Sequence, residues 1–178
     1  MSSRLAVFDC DGTLVDSQGN ICACIEDTFD GAGLAVPDRA DIRRIVGLSL
    51  IEAMAALSPD PSPDRHVALA EDYKRRFQRM RADGTLAHEP LFEGIPAVLE
   101  TLAEAGWLLG VATGKSDRGL AFVLNDHDIA HHFVTLQTAD RHPSKPHPAM
   151  LAAAIAEAGA GPETTVMIGD TSYDILMA

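Results

Sequence analysis

The stretch Leu5-Ala6-Val7-Phe8-Asp9-Cys10-Asp11-Gly12-Thr13 decides how the chain is read. Four consecutive apolar residues before a turn signal predict a strand buried on both faces, as in a parallel sheet. Residues i and i+2 of an extended chain point the same way, about 6 to 7 Å apart. Asp9 and Asp11 therefore leave the strand's C-terminal end together, where open α/β sheets keep their ligands. Two like charges that close are costly unless a cation or a proton is shared. Something else in the chain must relieve that cost.

Working outward, three further strands are predicted. Residues 107–112 lead into Thr113-Gly114-Lys115. Residues 133–138 lead into a loop carrying Lys145 and Pro146. Residues 165–168 end on Gly169-Asp170. Helices are predicted between them at residues 93–105, 117–125 and 149–158. Such alternation predicts right-handed crossovers and a doubly wound, Rossmann-like parallel sheet.

Between the first strand and this run the pattern is helical throughout. Ile21, Ile25 and Phe29 recur at spacing four; a second segment runs through Ile42 and Ile45, breaks at Gly47 and resumes through Ile51, Met54 and Leu57. A third carries Leu69, Tyr73, Phe77 and Met80 on one stripe. The expected organisation is a core of residues 1–16 and 89–178 with an α-helical insert at residues 17–88.

The bulk numbers agree. At 178 residues, 47% hydrophobic and 22% charged, the chain suits one α/β core with a small insert. A net charge of -12 argues against a nucleic-acid or anionic-membrane surface. No apolar run approaches the roughly 18 to 20 residues of a membrane span. Cys10, Cys22 and Cys24 suggest no disulfide framework, and the first strand begins too early for a secretory leader. A cytoplasmic home is expected. Residues 175–178 read as the opening of an apolar helix without a stop signal, so a longer natural chain is expected.

Taken in order, Asp9-x-Asp11-Gly12-Thr13, Thr113-Gly114-Lys115, Lys145-Pro146 and Gly169-Asp170-x-x-x-Asp174 resemble the four motifs of the haloacid dehalogenase-like hydrolase superfamily. The insert resembles that superfamily's α-helical cap placed after the first motif, and the pattern is most similar to the phosphoglycolate-phosphatase-like branch. The resemblance implies a phosphatase acting on a small phosphorylated metabolite through an aspartyl-phosphate. Asp9 would be the nucleophile and Asp11 the general acid and base. Gly12, Thr113, Gly114 and Lys145 would hold the phosphoryl group. It also implies Mg²⁺, with Asp9 and Asp170 as side-chain ligands, Asp11 through its backbone carbonyl, and Asp174 in the outer shell or through water. Charge supports this: four acids around one pocket exceed what one lysine balances, and a hard divalent cation suits carboxylates and phosphate.

Other readings stay open. Asp9, Asp11, Thr113 and Asp170 suit turns and helix caps, and Lys145 suits a solvated loop. Asp11 argues against dehalogenation, since an alkyl halide leaves without needing a proton. A phosphosugar mutase shares the four motifs, and a non-catalytic phosphometabolite-binding domain is the alternative outside enzymology. A monomer or weak homodimer is expected. Lys74, the insert's one lysine, could serve as a Schiff base only from within a basic run that reads as solvated, with anion steering as its other use. Cys22 and Cys24 do not share a helix face, and His131-His132 reads as surface. Arg43, Arg44, Gly47, Leu48 and Ser49 are the insert residues placed to choose a substrate.

Overall fold

The computed structural model describes residues 3–178. Four strands, β1 (Ser3–Phe8), β2 (Trp107–Thr113), β3 (Phe133–Thr138) and β4 (Ala160–Ile168), form one sheet in the order β3-β2-β1-β4, with every pairing parallel. The opening stretch thus supplies a central strand, and Leu5 to Phe8 are at most 2% exposed. Full burial of each large apolar side chain stabilises by about 1.5–3 kcal/mol, so this segment anchors the domain.

Alternation along β1 divides the core. Ala6 and Phe8 pack with Leu109 and Val111 beneath helices α5 (Ile95–Glu104) and α6 (Asp117–Asp126). Leu5 and Val7 pack on the other face, beneath α7 (Ala149–Ala158) and α8 (Ser172–Met177). Both faces are covered, as a doubly wound sheet requires. The one clear difference from expectation is β4, which starts at Ala160 rather than Thr165 and pairs with β1 through a register irregularity near Ser3.

Four helices fill the segment after β1: α1 (Gln18–Gly31), α2 (Arg39–Ile45), α3 (Leu50–Leu57) and α4 (Pro63–Ala82). They share an apolar cluster of their own, including Ile25, Phe29, Ile42, Met54 and Leu69. Its root is clasped by Asn20, whose side chain donates to the Ala87 carbonyl (2.8 Å) and Glu89 (2.9 Å) and accepts from the Ala87 N–H. The basic run on α4 is largely self-satisfied: Lys74 pairs with Glu71, Arg75 with Asp72, and Arg76 with Asp72 and Asp27. Arg81 instead crosses to the sheet domain, its guanidinium 3.8 Å from the Phe122 ring centroid on α6. No helix among the described residues is long and apolar enough to cross a membrane.

Candidate active site

Parallel strands place their C-terminal ends on one edge, and there the acids meet. Asp9 follows β1 directly, its N–H donating to the Ile168 carbonyl at 2.8 Å. Its carboxylate is wholly buried and faces Lys145 Nζ at 2.9 Å. Lys145 is the one cation paired with Asp9 among the described residues. Burial pushes the Asp9 carboxyl up to about 7; Lys145 opposes this, while Asp174 and Asp11 add to it.

Lys145 is also wholly buried and reaches Asp174 Oδ1 at 2.6 Å. Burial disfavours its charge, yet the two acids outweigh that and hold the ammonium above the ordinary lysine range. The Lys145-Pro146 peptide is cis. Asp174 Oδ2 accepts from the Thr171 hydroxyl (2.9 Å) and N–H (3.2 Å), closing a capping box at the start of α8. Both Asp174 oxygens thus have partners, Lys145 at Oδ1 and Thr171 at Oδ2.

Asp170 ends the β4 side of the site. Thr13 donates to its Oδ1 at 3.3 Å, and burial raises its carboxyl above the usual range. Gly12, at φ +86°, makes room for it, since a Cβ there would overlap the Asp170 carboxylate. The Gly12 N–H is spent on the Val15 carbonyl at 2.9 Å. Gly12 therefore supplies space and the turn geometry that the sequence predicts. Carboxylate oxygens of Asp9, Asp170 and Asp174 lie within 4.8 Å of one another, a group able to hold a cation.

Asp11 is differently placed. Its Oδ1 accepts from the Ser17 hydroxyl and pairs with Lys115 Nζ at 2.8 Å. Lys115 follows Thr113 and Gly114 at the end of β2; burial works against its charge, but Asp11, with Cys10 and Glu89 adding, holds it above the ordinary lysine range. Lys115 closes the Thr113-Gly114-Lys115 motif, which assigns it no role of its own, and Ser17 does not stand out in the sequence. The available signal is charge balance, because a second lysine at an acid-rich strand end was needed. Thr113 is buried, and its Oγ accepts the Lys115 N–H at 3.2 Å, leaving its O–H to donate elsewhere. Ser116 caps α6 by accepting the Gly119 N–H at 3.1 Å.

The helical insert reaches this edge through residues 46–49. A Cβ on Gly47 would lie 3.8 Å from Asp9 Oδ2. A Cβ on Gly114 would overlap the Leu48 carbonyl oxygen and lie 2.7 Å from that of Gly47. Ser49 N–H donates to Ser144 Oγ at 2.7 Å. Three of the insert residues singled out from sequence thus touch the core edge. Arg44 instead pairs with Asp41 on the exposed end of α2. A groove of about 840 Å³ opens beside the Ser49–Ser144 contact, lined by Leu48, Glu52, Ser144 and His147 among others. Lys145 borders it but has no exposed side chain. The groove is therefore the outer seam between insert and core, not the phosphoryl site.

The four motifs converge in space as well as in order. The model of the haloacid dehalogenase-like hydrolases matches residues 6–178. The chain belongs to that family. This hydrolase is 34% identical over 178 residues to probable phosphatase IndB of Dickeya dadantii, covering 98% of its own length and 76% of that relative. A phosphoglycolate phosphatase of Agrobacterium fabrum is 29% identical over 180 residues, with 99% and 76% covered. Tyrosine-protein kinase PtkA of Mycobacterium tuberculosis is 32% identical over 176 residues; the match covers 98% of this chain and 58% of that relative's length. A crystal structure of a haloacid dehalogenase-like hydrolase from Bacteroides fragilis is 26% identical and superposes with a TM-score of 0.89, over 99% of this chain and 82% of that one.

Proposed function

We propose that this hydrolase is a cytoplasmic, Mg²⁺-dependent phosphomonoesterase that cleaves a small phosphorylated metabolite through an aspartyl-phosphate, in the manner of the phosphoglycolate-phosphatase-like branch. One observation carries the reading: Asp9 is wholly buried at the end of β1, its carboxylate 2.9 Å from Lys145 Nζ and clustered with those of Asp170 and Asp174. A carboxylate held that way, facing the site, is an available nucleophile. The names of IndB and the Agrobacterium relative support phosphate esters as substrates. Three buried free cysteines suit a reducing compartment.

Asp9 attacks phosphorus while the bond to the leaving oxygen breaks. Asp11 gives its proton to that oxygen, then takes one from the water that attacks the aspartyl-phosphate and restores Asp9. Lys145 and the Thr113 hydroxyl hold phosphoryl oxygens, and the start of α6 adds its positive end. The residues fit a divalent cation: three carboxylates cluster within 4.8 Å, and the one buried lysine among them pairs with two, Asp9 and Asp174. Asp9 and Asp170 would hold it with the Asp11 backbone carbonyl, and Asp174 through water. When bound it supplies positive charge to phosphoryl oxygens and relieves repulsion among the acids.

Residues 17–88 act as a cap over a core of residues 1–16 and 89–178. Residues 46–49 meet the catalytic edge, and the clasp at Asn20 is the root about which the cap opens. Lowering the cap excludes water and macromolecular phosphoesters. A test is turnover of 4-nitrophenyl phosphate, expected with Mg²⁺ and lost with a chelator. Folded protein with no turnover would favour a non-catalytic binding domain. Isomerised sugar phosphate without free phosphate would favour a mutase. A panel of phosphorylated metabolites then identifies the substrate.

A further inference from the structure

The acid–base carboxylate is held more tightly than the catalytic sequence of events requires. Ser17 Oγ and Lys115 Nζ both engage Asp11 Oδ1, and among the described residues nothing donates to Oδ2. The two donors come from different elements, the foot of α1 and the end of β2, so the carboxyl group is fixed from two sides. The Asp11 side chain keeps 10% of its surface, and Lys115 keeps 15%. A lysine there for charge balance alone could approach either oxygen. The hydroxyl and the nearest approach of the lysine both fall on Oδ1, so Oδ2 is the oxygen without a hydrogen-bond donor among the described residues.

We infer that Lys115 is a positioning residue: with Ser17 it holds Asp11 Oδ1 so that Oδ2 exchanges the proton with the leaving oxygen. The inference rests on the phosphatase reading above and deepens it. As the phosphorus–oxygen bond breaks, its electron pair stays on the departing oxygen, and the proton on Asp11 Oδ2 moves to that oxygen. In the second displacement the same Oδ2 takes a proton from water. Esters whose leaving oxygen is strongly basic depend most on this transfer, so alkyl phosphates are the substrate class that this clamp serves.

The experiment compares kcat/KM for the wild type, Lys115→Met and Lys115→Arg on 4-nitrophenyl phosphate and phenyl phosphate with Mg²⁺. This quantity stops at the first irreversible step, so the later attack of water does not enter it. Phenolate is the more basic leaving group and needs the proton more. K115M is expected to lose about tenfold more on phenyl phosphate than on the nitrophenyl ester, within the range of general-acid effects. K115R, which keeps the charge and a donor, should close most of that gap. Equal losses on the two esters, or no loss on either, would overturn the inference while leaving the phosphatase reading intact. Wild-type protein with no turnover on either ester would overturn both. Should K115M not fold, K115Q carries the same comparison.

Discussion

Two carboxylates leave β1 almost side by side, yet the regions around them differ in kind. Around Asp9, one buried lysine serves two acids. Around Asp11, a lysine and a hydroxyl serve one acid. The first region is short of positive charge; the second has a lysine of its own. The proposed nucleophile and the proposed acid, two residues apart, are thus separated by environment, not by distance.

The largest break in that contrast is removal of each acid. Asp9→Asn should lower turnover at least about 10⁴-fold with the fold retained, since no other group can accept the phosphoryl. Asp11→Asn should cost about 10²- to 10⁴-fold, the range of general acid–base catalysis, and cost least on 4-nitrophenyl phosphate. Steady-state kinetics on both esters decide this, and equal losses would erase the distinction.

Next comes the shared lysine. Lys145→Met removes the cation from two buried acids and should lower kcat/KM about 10²- to 10³-fold, as loss of a preorganised electrostatic partner does. Its melting temperature should fall further below wild type at neutral pH than at acid pH, because protonated acids no longer need the lysine. A pH-independent loss would contradict this.

Stability offers a smaller, signed effect. In metal-free protein the folded Asp9 carboxyl titrates near 7 against an ordinary 3.8. Between those values the unfolded chain has released a proton that the folded chain keeps. The raised group therefore costs nothing below the lower value, and stability is lost as pH rises through the higher one. Asp9→Asn removes that loss. The metal-free variant should be more stable than wild type by about 2–4 kcal/mol at about pH 8 and close to equal at about pH 4. Denaturant melts at the two pH values check the sign. Mg²⁺ should raise the wild-type midpoint and raise the variant's much less.

Much of this was legible because strand ends carry the signal. Asp9, Thr113 and Asp170 each follow an apolar run, and Lys145 falls in the loop after β3, so parallel topology alone brings them to one edge. The start of β4 was not legible: residues 160–164 include Gly161 and Pro162, and pairing beside Ser3 holds them extended. Thr164 Oγ donates to the Ser3 carbonyl at 2.8 Å. The Asp11–Lys115 pair gave no local pattern either, because its partners meet only when β1 and β2 pair. Arg76 with Asp27, and Arg81 over Phe122, were invisible for the same reason. The solvated reading holds for Lys74 and Arg75, which pair within α4 at exposed positions, while Arg76 and Arg81 tie α4 to other helices.

The smallest predicted effect lies where the insert meets the core. Gly114→Ala would push against the Leu48 carbonyl oxygen and hold residues 46–49 away from the edge. About a tenfold fall in kcat/KM is expected with little change in melting temperature. Unchanged kinetics would mean that this contact does not accompany turnover.

The central claim is that Asp9 itself carries the phosphoryl group. Acid quenching during turnover of 4-nitrophenyl phosphate, followed by borohydride reduction and peptide mass spectrometry, reads it directly. Reduction of an aspartyl-phosphate leaves homoserine, and the account predicts it at residue 9. Homoserine at residue 11, or unmodified carboxylates during sustained turnover, would contradict it.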